Sequence, residues 1–129
     1  MEIVSALFAE SIDLRPAPGP STRIDLTGIM FSISAPSEPP VTISPHLIVL
    51  VRCRPDEDGQ GILEVIFTDQ AGDQVARNVS PFTVEPGKFT YRLVRGELEY
   101  ASYGTIEARC RLLPEGAVIG VPLTLLPPA

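Results

Sequence analysis

The chain reads as an all-β protein, an antiparallel β-sandwich of immunoglobulin-like or Greek-key type with about eight or nine short strands. Three observations predict it. From Thr105 to Leu112 polar and apolar residues alternate without a break, with Ile106, Ala108, Cys110 and Leu112 on one side. Successive strand side chains point to opposite faces, so this is a half-buried strand. Pro114-Glu115-Gly116 then supplies a turn before a second apolar strand, closing a terminal hairpin over 104–125. Fourteen prolines and ten glycines cut the 129 residues into short segments and disfavour long helices. Apolar segments recur at intervals of about ten to twelve residues, the spacing of sandwich strands.

Taken in order, residues 2–10 form an apolar run whose β-branched members and Ser5 favour a strand. Ser11 to Ser21 carries Pro16, Pro18, Gly19 and Pro20 and reads as a loop. Thr22 to Ser34 alternates again, but its phase changes at Gly28, which predicts a β-bulge there. Ala35 to Pro45, with Pro36, Pro39 and Pro40, is an extended connector from one sheet to the other. His46 to Arg52 is apolar on both faces through Leu47, Ile48, Val49, Leu50 and Val51, as in a strand covered twice. Residues 62–79 form a hairpin around Asp69–Asp73. Pro81–Val84 is short, Lys88–Val94 puts Phe89, Tyr91 and Leu93 on one face, and Leu98–Tyr103 leads into the terminal hairpin. No repeat or linker divides the chain, so 1–129 is a single domain.

Composition excludes several function classes. Net charge is −6 and the isoelectric point is near 4.7. Nucleic-acid affinity is dominated by cations that neutralise phosphates. The ten Lys and Arg residues are scattered along the chain, so no nucleic acid is expected. No apolar run approaches a membrane span, and Glu2 with a short, interrupted apolar run does not read as a secretory signal. The expectation is a cytoplasmic protein that does not engage membranes.

Candidate chemistry is sparse. Cys53 and Cys110 lie inside strands and read as buried small hydrophobes, their pairing being a matter of distance in space. Asp56-Glu57-Asp58-Gly59 gathers carboxylates on a turn but fails the EF-hand spacing, since Phe67 stands where a Glu is needed. It reads as a solvated turn, with calcium affinity left to titration. His46 is the sole histidine; a hydrolase would pair it with Ser44, Cys53 or Cys110, but no nucleophile elbow is present. It reads as a strand-end histidine. No catalytic residue, cofactor site or metal site is assigned, and the chain is not expected to be an enzyme. Tyr91, Tyr100 and Tyr103 are interface candidates because tyrosine combines an apolar body with a polar tip.

The stretches Ala6-Leu7-Phe8-Ala9-Glu10 and Ile24-Asp25-Leu26-Thr27-Gly28-Ile29, joined by a proline-glycine turn, resemble the start of an uncharacterised family of small bacterial proteins. The likeness continues through strand 46–52, the turn with Gly59 and Gly61, the Asp69–Gly72 turn and the terminal hairpin. This chain departs from it at Glu38-Pro39-Pro40, where a Phe-Pro is expected, and at Asp69-Gln70-Ala71-Gly72. The resemblance implies a cytoplasmic β-sandwich of unknown function and transfers no active site.

The expected function is a non-catalytic protein-interaction or assembly module, binding a protein partner or forming a homo-oligomer through a sheet face or an edge strand. Its expected interface is Tyr91, Tyr100, Tyr103, Leu47, Val49 and Val51. The surface is sought on a sheet holding both 46–52 and 62–67, or along an edge left by Pro122. The alternative is a sandwich that binds a small ligand or carbohydrate in a concave pocket lined by tyrosines.

Overall fold

A computed structural model describes residues 1–19 and 21–129; Pro20, placed by the sequence in a loop, lies outside them. Among the described residues eleven strands run in chain order: β1 Glu2–Pro16, β2 Thr22–Met30, β3 Ser32–Ser34, β4 Val41–Ile43, β5 His46–Arg52, β6 Gln60–Thr68, β7 Gln74–Thr83, β8 Phe89–Arg95, β9 Leu98–Tyr100, β10 Gly104–Leu112 and β11 Ile119–Leu126. They form a four-stranded sheet, β2-β1-β5-β8, a five-stranded sheet, β3-β11-β10-β6-β7, and a two-stranded pair, β4-β9. Every pairing is antiparallel except β3 with β11. The chain is all-β, with no helix among the described residues, and so no helix long and apolar enough to cross a membrane.

One buried cluster joins the two larger sheets. Phe8, Leu47, Val49 and Val51 come from the first, and Leu63, Val65, Phe67, Ile106, Ala108 and Leu123 from the second. The terminal hairpin is as the alternation predicts: Ile106, Ala108, Cys110 and Leu112 are buried, and Glu107, Arg109 and Arg111 are not. The hairpin over 62–79 also forms, as β6 and β7. Its Asp69 Oδ1 accepts the backbone N–H of Ala71 and of Asp73, each at 3.0 Å, which closes the turn.

Three expectations are corrected. First, eleven strands replace eight or nine, because β3, β4 and β9 are three-residue pieces too short for periodicity to register. Second, β1 runs on to Pro16, through residues read as loop; Pro16 closes the strand, where its missing N–H is tolerated. Third, Gly28 makes no bulge. The β1–β2 register is constant from Phe8↔Met30 to Pro16↔Thr22. Gly28 is needed because its φ is +65° and a Cβ there would fall 2.5 Å from the Glu10 side chain. The phase change comes after it, at Phe31, where the chain leaves the four-stranded sheet and enters the five-stranded one.

Candidate functional site

The core face of the four-stranded sheet takes one parity of each strand and leaves the other outside. On β5, Leu47, Val49 and Val51 point into the shared cluster and are fully buried. Their neighbours His46, Ile48, Leu50 and Arg52 therefore lie on the outer face. The register builds that face in rows. Leu7, Ile48 and Leu93 stand side by side across β1, β5 and β8, with Ser5, Leu50 and Tyr91 in the next row. Ile29 stands beside Ala9, and Phe89 beside Arg52. Ile48, between Leu7 and Leu93 in the register, is only 1% exposed, whereas Phe89 is 63% and Leu93 41% exposed. Polar groups frame the patch: Arg95 next to His46 at one end, and an Arg52–Glu2 ion pair at 3.3 Å at the other. An apolar centre inside a polar rim is the layout of a protein interface.

The expected interface residues do not come together. Tyr91 is half-buried on the outer face. Leu47, Val49 and Val51 are core residues: the sequence showed that β5 is apolar on both sides but could not say which side faces in. Tyr100 is 3% exposed and donates its hydroxyl to the Leu123 carbonyl at 2.7 Å, closing the core; burial pushes its hydroxyl pKa up to about 12, against the Ile106 backbone, which pulls it down. Tyr103 is partly exposed within the β9–β10 turn. Strands β5 and β6 belong to different sheets, so no single face holds both. Pro122 lies in β11, which is flanked by β10 and, at Thr124–Leu126, by β3. The patch residues missed by sequence reasoning are Leu7, Ala9, Ile29, Ile48, Leu50, Phe89 and Leu93. For Ile48 and Leu50 the signal was the two-sided apolar character of β5; for Leu7 and Ala9 it was the unbroken apolar run of β1.

The outer face of the five-stranded sheet differs. Glu64 on β6 is 3% exposed yet points away from the core. Arg77 of β7 and Arg111 of β10 flank it, donating at 2.7 Å to its two carboxylate oxygens. These hydrogen bonds, Arg77 first, hold the Glu64 carboxyl below its ordinary value against a desolvation cost that works the other way. Its contribution to stability is therefore present above about pH 4.5 and lost as pH falls through the lowered value. Glu64→Gln is expected to be less stable than wild type near neutrality, with the gap closing in acid. Urea midpoints at about pH 7 and about pH 3 test this; a gap unchanged between them contradicts it.

A cleft of about 520 Å³ opens between the β6–β7 turn and the β9–β10 turn. Asp69, Gln70, Glu99, Tyr100, Tyr103 and Thr105 contribute to its walls. Gly104, at φ +139°, lets the Gln70 carboxamide lie against the backbone: a Cβ there would stand 2.3 Å from its Oε1.

The remaining candidates are structurally occupied. In the acidic turn, Glu57 pairs with the Met1 ammonium and accepts from the Arg54 N–H at 3.0 Å, and Asp58 accepts from the Gln60 N–H at 2.9 Å. The ammonium and the Arg54 backbone lower the Glu57 pKa. Among the described residues no cluster of three or more His, Cys, Asp and Glu could hold a metal ion. His46 Nδ1 donates to the Glu10 carbonyl at 3.1 Å on the outer face, away from both thiols in the core. Cys53 and Cys110 are free and buried, and burial pushes the Cys110 thiol up to about 12. A thiol reagent is therefore expected to label neither in the folded chain and both in denaturant; rapid native labelling contradicts this.

No family model and no curated protein matches this chain.

Proposed function

We propose that the chain is a non-catalytic assembly module whose outer four-stranded-sheet face binds a second copy of itself. The observation that carries this reading is the Leu7–Ile48–Leu93 row with Ile29, Leu50 and Phe89 around it, on a sheet whose other face is already buried. Burying such a surface is favourable in proportion to its apolar area. The domain underneath is read as an immunoglobulin-like sandwich, on the support of the cluster shared by its two larger sheets. The cytoplasmic setting rests on the family resemblance of the first strands.

Leu93→Glu tests the reading. It places a carboxylate at the exposed β8 end of the patch's main row without touching the core, so it is expected to leave thermal stability near wild type and to weaken self-association about tenfold or more. Sedimentation equilibrium over a micromolar concentration series reads this. A wild type that is monomeric throughout, or a variant that associates equally well, overturns it.

A second reading is favoured by the cleft between the β6–β7 and β9–β10 turns. Its tyrosines and convergent Asp69, Gln70 and Glu99 suit a neutral polyhydroxylated ligand that accepts and donates several hydrogen bonds. Amide chemical shifts of Gln70, Ser102 and Tyr103 on titration with simple sugars test it, and their invariance at millimolar sugar removes it.

A further inference from the structure

The strand register leaves a second surface, separate from the sheet face. Strand β5 pairs with β1 only as far as Ala9, but β1 continues to Pro16 and β2 returns from Thr22. Residues 10–16 and 22–28 therefore project past the rest of the sheet as a two-stranded arm. Its faces are sharply divided. Ile12↔Leu26 and Leu14↔Ile24 fall on one side; Asp13↔Asp25 and Arg15↔Arg23 fall on the other. None of the four apolar residues joins the core cluster, and Leu14 is 55% exposed. A two-stranded ribbon alone in water is marginal, so this arm lacks a partner.

The arm also has an open edge. The Glu10 carbonyl, which takes the His46 hydrogen bond, points to the side where β5 stops. Backbone groups alternate along a strand, so those of Ile12 and Leu14 point the same way. Among the described residues, no backbone group outside the β1–β2 ladder bonds residues 11–16.

We infer that this edge pairs antiparallel with the same edge of a second copy, and the charges choose the register. Within one arm, Asp13 faces Asp25 and Arg15 faces Arg23, like beside like, relieved only by a diagonal Arg15–Asp25 ion pair at 2.9 Å. Like charges directly opposite destabilise a ladder. A two-fold axis through Leu14 sets Leu14 against Leu14 of the second copy. It sets Asp13 against Arg15 of the second copy, and Arg15 against its Asp13. Each acidic row is thereby completed by a basic row, and the apolar face becomes continuous across the axis. Leu14 exchanges two backbone hydrogen bonds with its symmetry mate, and the missing N–H of Pro16 ends the pairing. This is strand addition at an isologous contact, and it goes beyond the sheet-face reading and does not depend on it.

Charge reversal tests it with the intact chain in the Leu93→Glu background, where the sheet face is silenced. The parent is expected to remain a dimer. Asp13→Arg turns each cross-axis attraction into a repulsion while facing Asp25 favourably within its own arm, so folding is preserved and dimerisation weakens about tenfold or more. Arg15→Asp weakens it likewise. Mixing the two single variants, or combining them as Asp13→Arg/Arg15→Asp in one chain, restores opposite pairs and is expected to restore the dimer. Circular dichroism confirms folding, and sedimentation reads the state. A monomeric parent, an Asp13→Arg variant that dimerises undiminished, or a double reversal that stays monomeric overturns the arm contact. Loss of association in Leu93→Glu alone, with the reversals inert, leaves the sheet-face reading standing.

Discussion

Phe67→Ala is expected to destabilise the domain by about 3–5 kcal/mol, the cost of truncating a buried aromatic whose site cannot collapse. Phe67 is 1% exposed on β6, the strand between β10 and β7. Its cross-strand neighbours are Ala108 and Ala76, two side chains too short to fill the space its ring would leave. Above the ring runs the β8–β9 connector, where Gly96 lies so close that a Cβ would stand 3.1 Å from the ring carbons. Small residues on three sides mean that the surroundings were shaped to this ring. Domains of this size have about 5–15 kcal/mol in total, so the variant is expected to melt roughly 10–20 °C lower. Calorimetry or a urea titration measures it. A loss below about 1 kcal/mol would mean that the cluster repacks freely.

Gly59→Ala is expected to cost at least about 2 kcal/mol, and by a different route. The φ of Gly59 is +78°, and a Cβ there would fall 2.0 Å from the Val84 carbonyl oxygen. The Gly59 carbonyl accepts the Val84 N–H at 2.9 Å, so the clash falls on the same residue whose N–H ties the 55–59 turn to the end of β7. Relief requires moving Val84, a core residue. Gly72→Ala provides the control: its φ is +86°, but nothing lies within 4 Å of the new carbon, so only the backbone strain is incurred, about 1 kcal/mol. Equal losses at the two positions in urea would show that the Val84 contact yields easily.

Both variants act on stability, while Leu93→Glu and Asp13→Arg act on association and leave the core intact. That separation follows from strand parity, and it marks where sequence reading stops. Alternation in β10 was legible because one face is wet: Glu107, Arg109 and Arg111 announce it. In β5 both faces are apolar, so parity carried no label. Leu47, Val49 and Val51 read as surface candidates, yet the outer face fell to Ile48 and Leu50. Glu64 shows the same limit from the other side. It reads as an ordinary solvent-facing residue, and only the meeting of β7 and β10 around β6 gives it two arginines and removes it from water. The arm was hidden by Pro16, Pro18 and Gly19, which read as one long loop, although the pairing with β2 extends β1 to the first of them.

By itself the sequence determined the strand class, the two local hairpins at 62–79 and 104–125 and the burial of the cysteines. These depend on the period of the side chains and on turns a few residues long. Tertiary structure alone decided which sheet each strand joins, which side of β5 faces inward, and where β5 stops while β1 continues. Those outcomes depend on pairing between residues far apart in the chain, and a one-residue change in register exchanges the two faces of a strand. The candidate surfaces of this protein, the Leu7–Ile48–Leu93 row and the free edge of β1, are both products of that register.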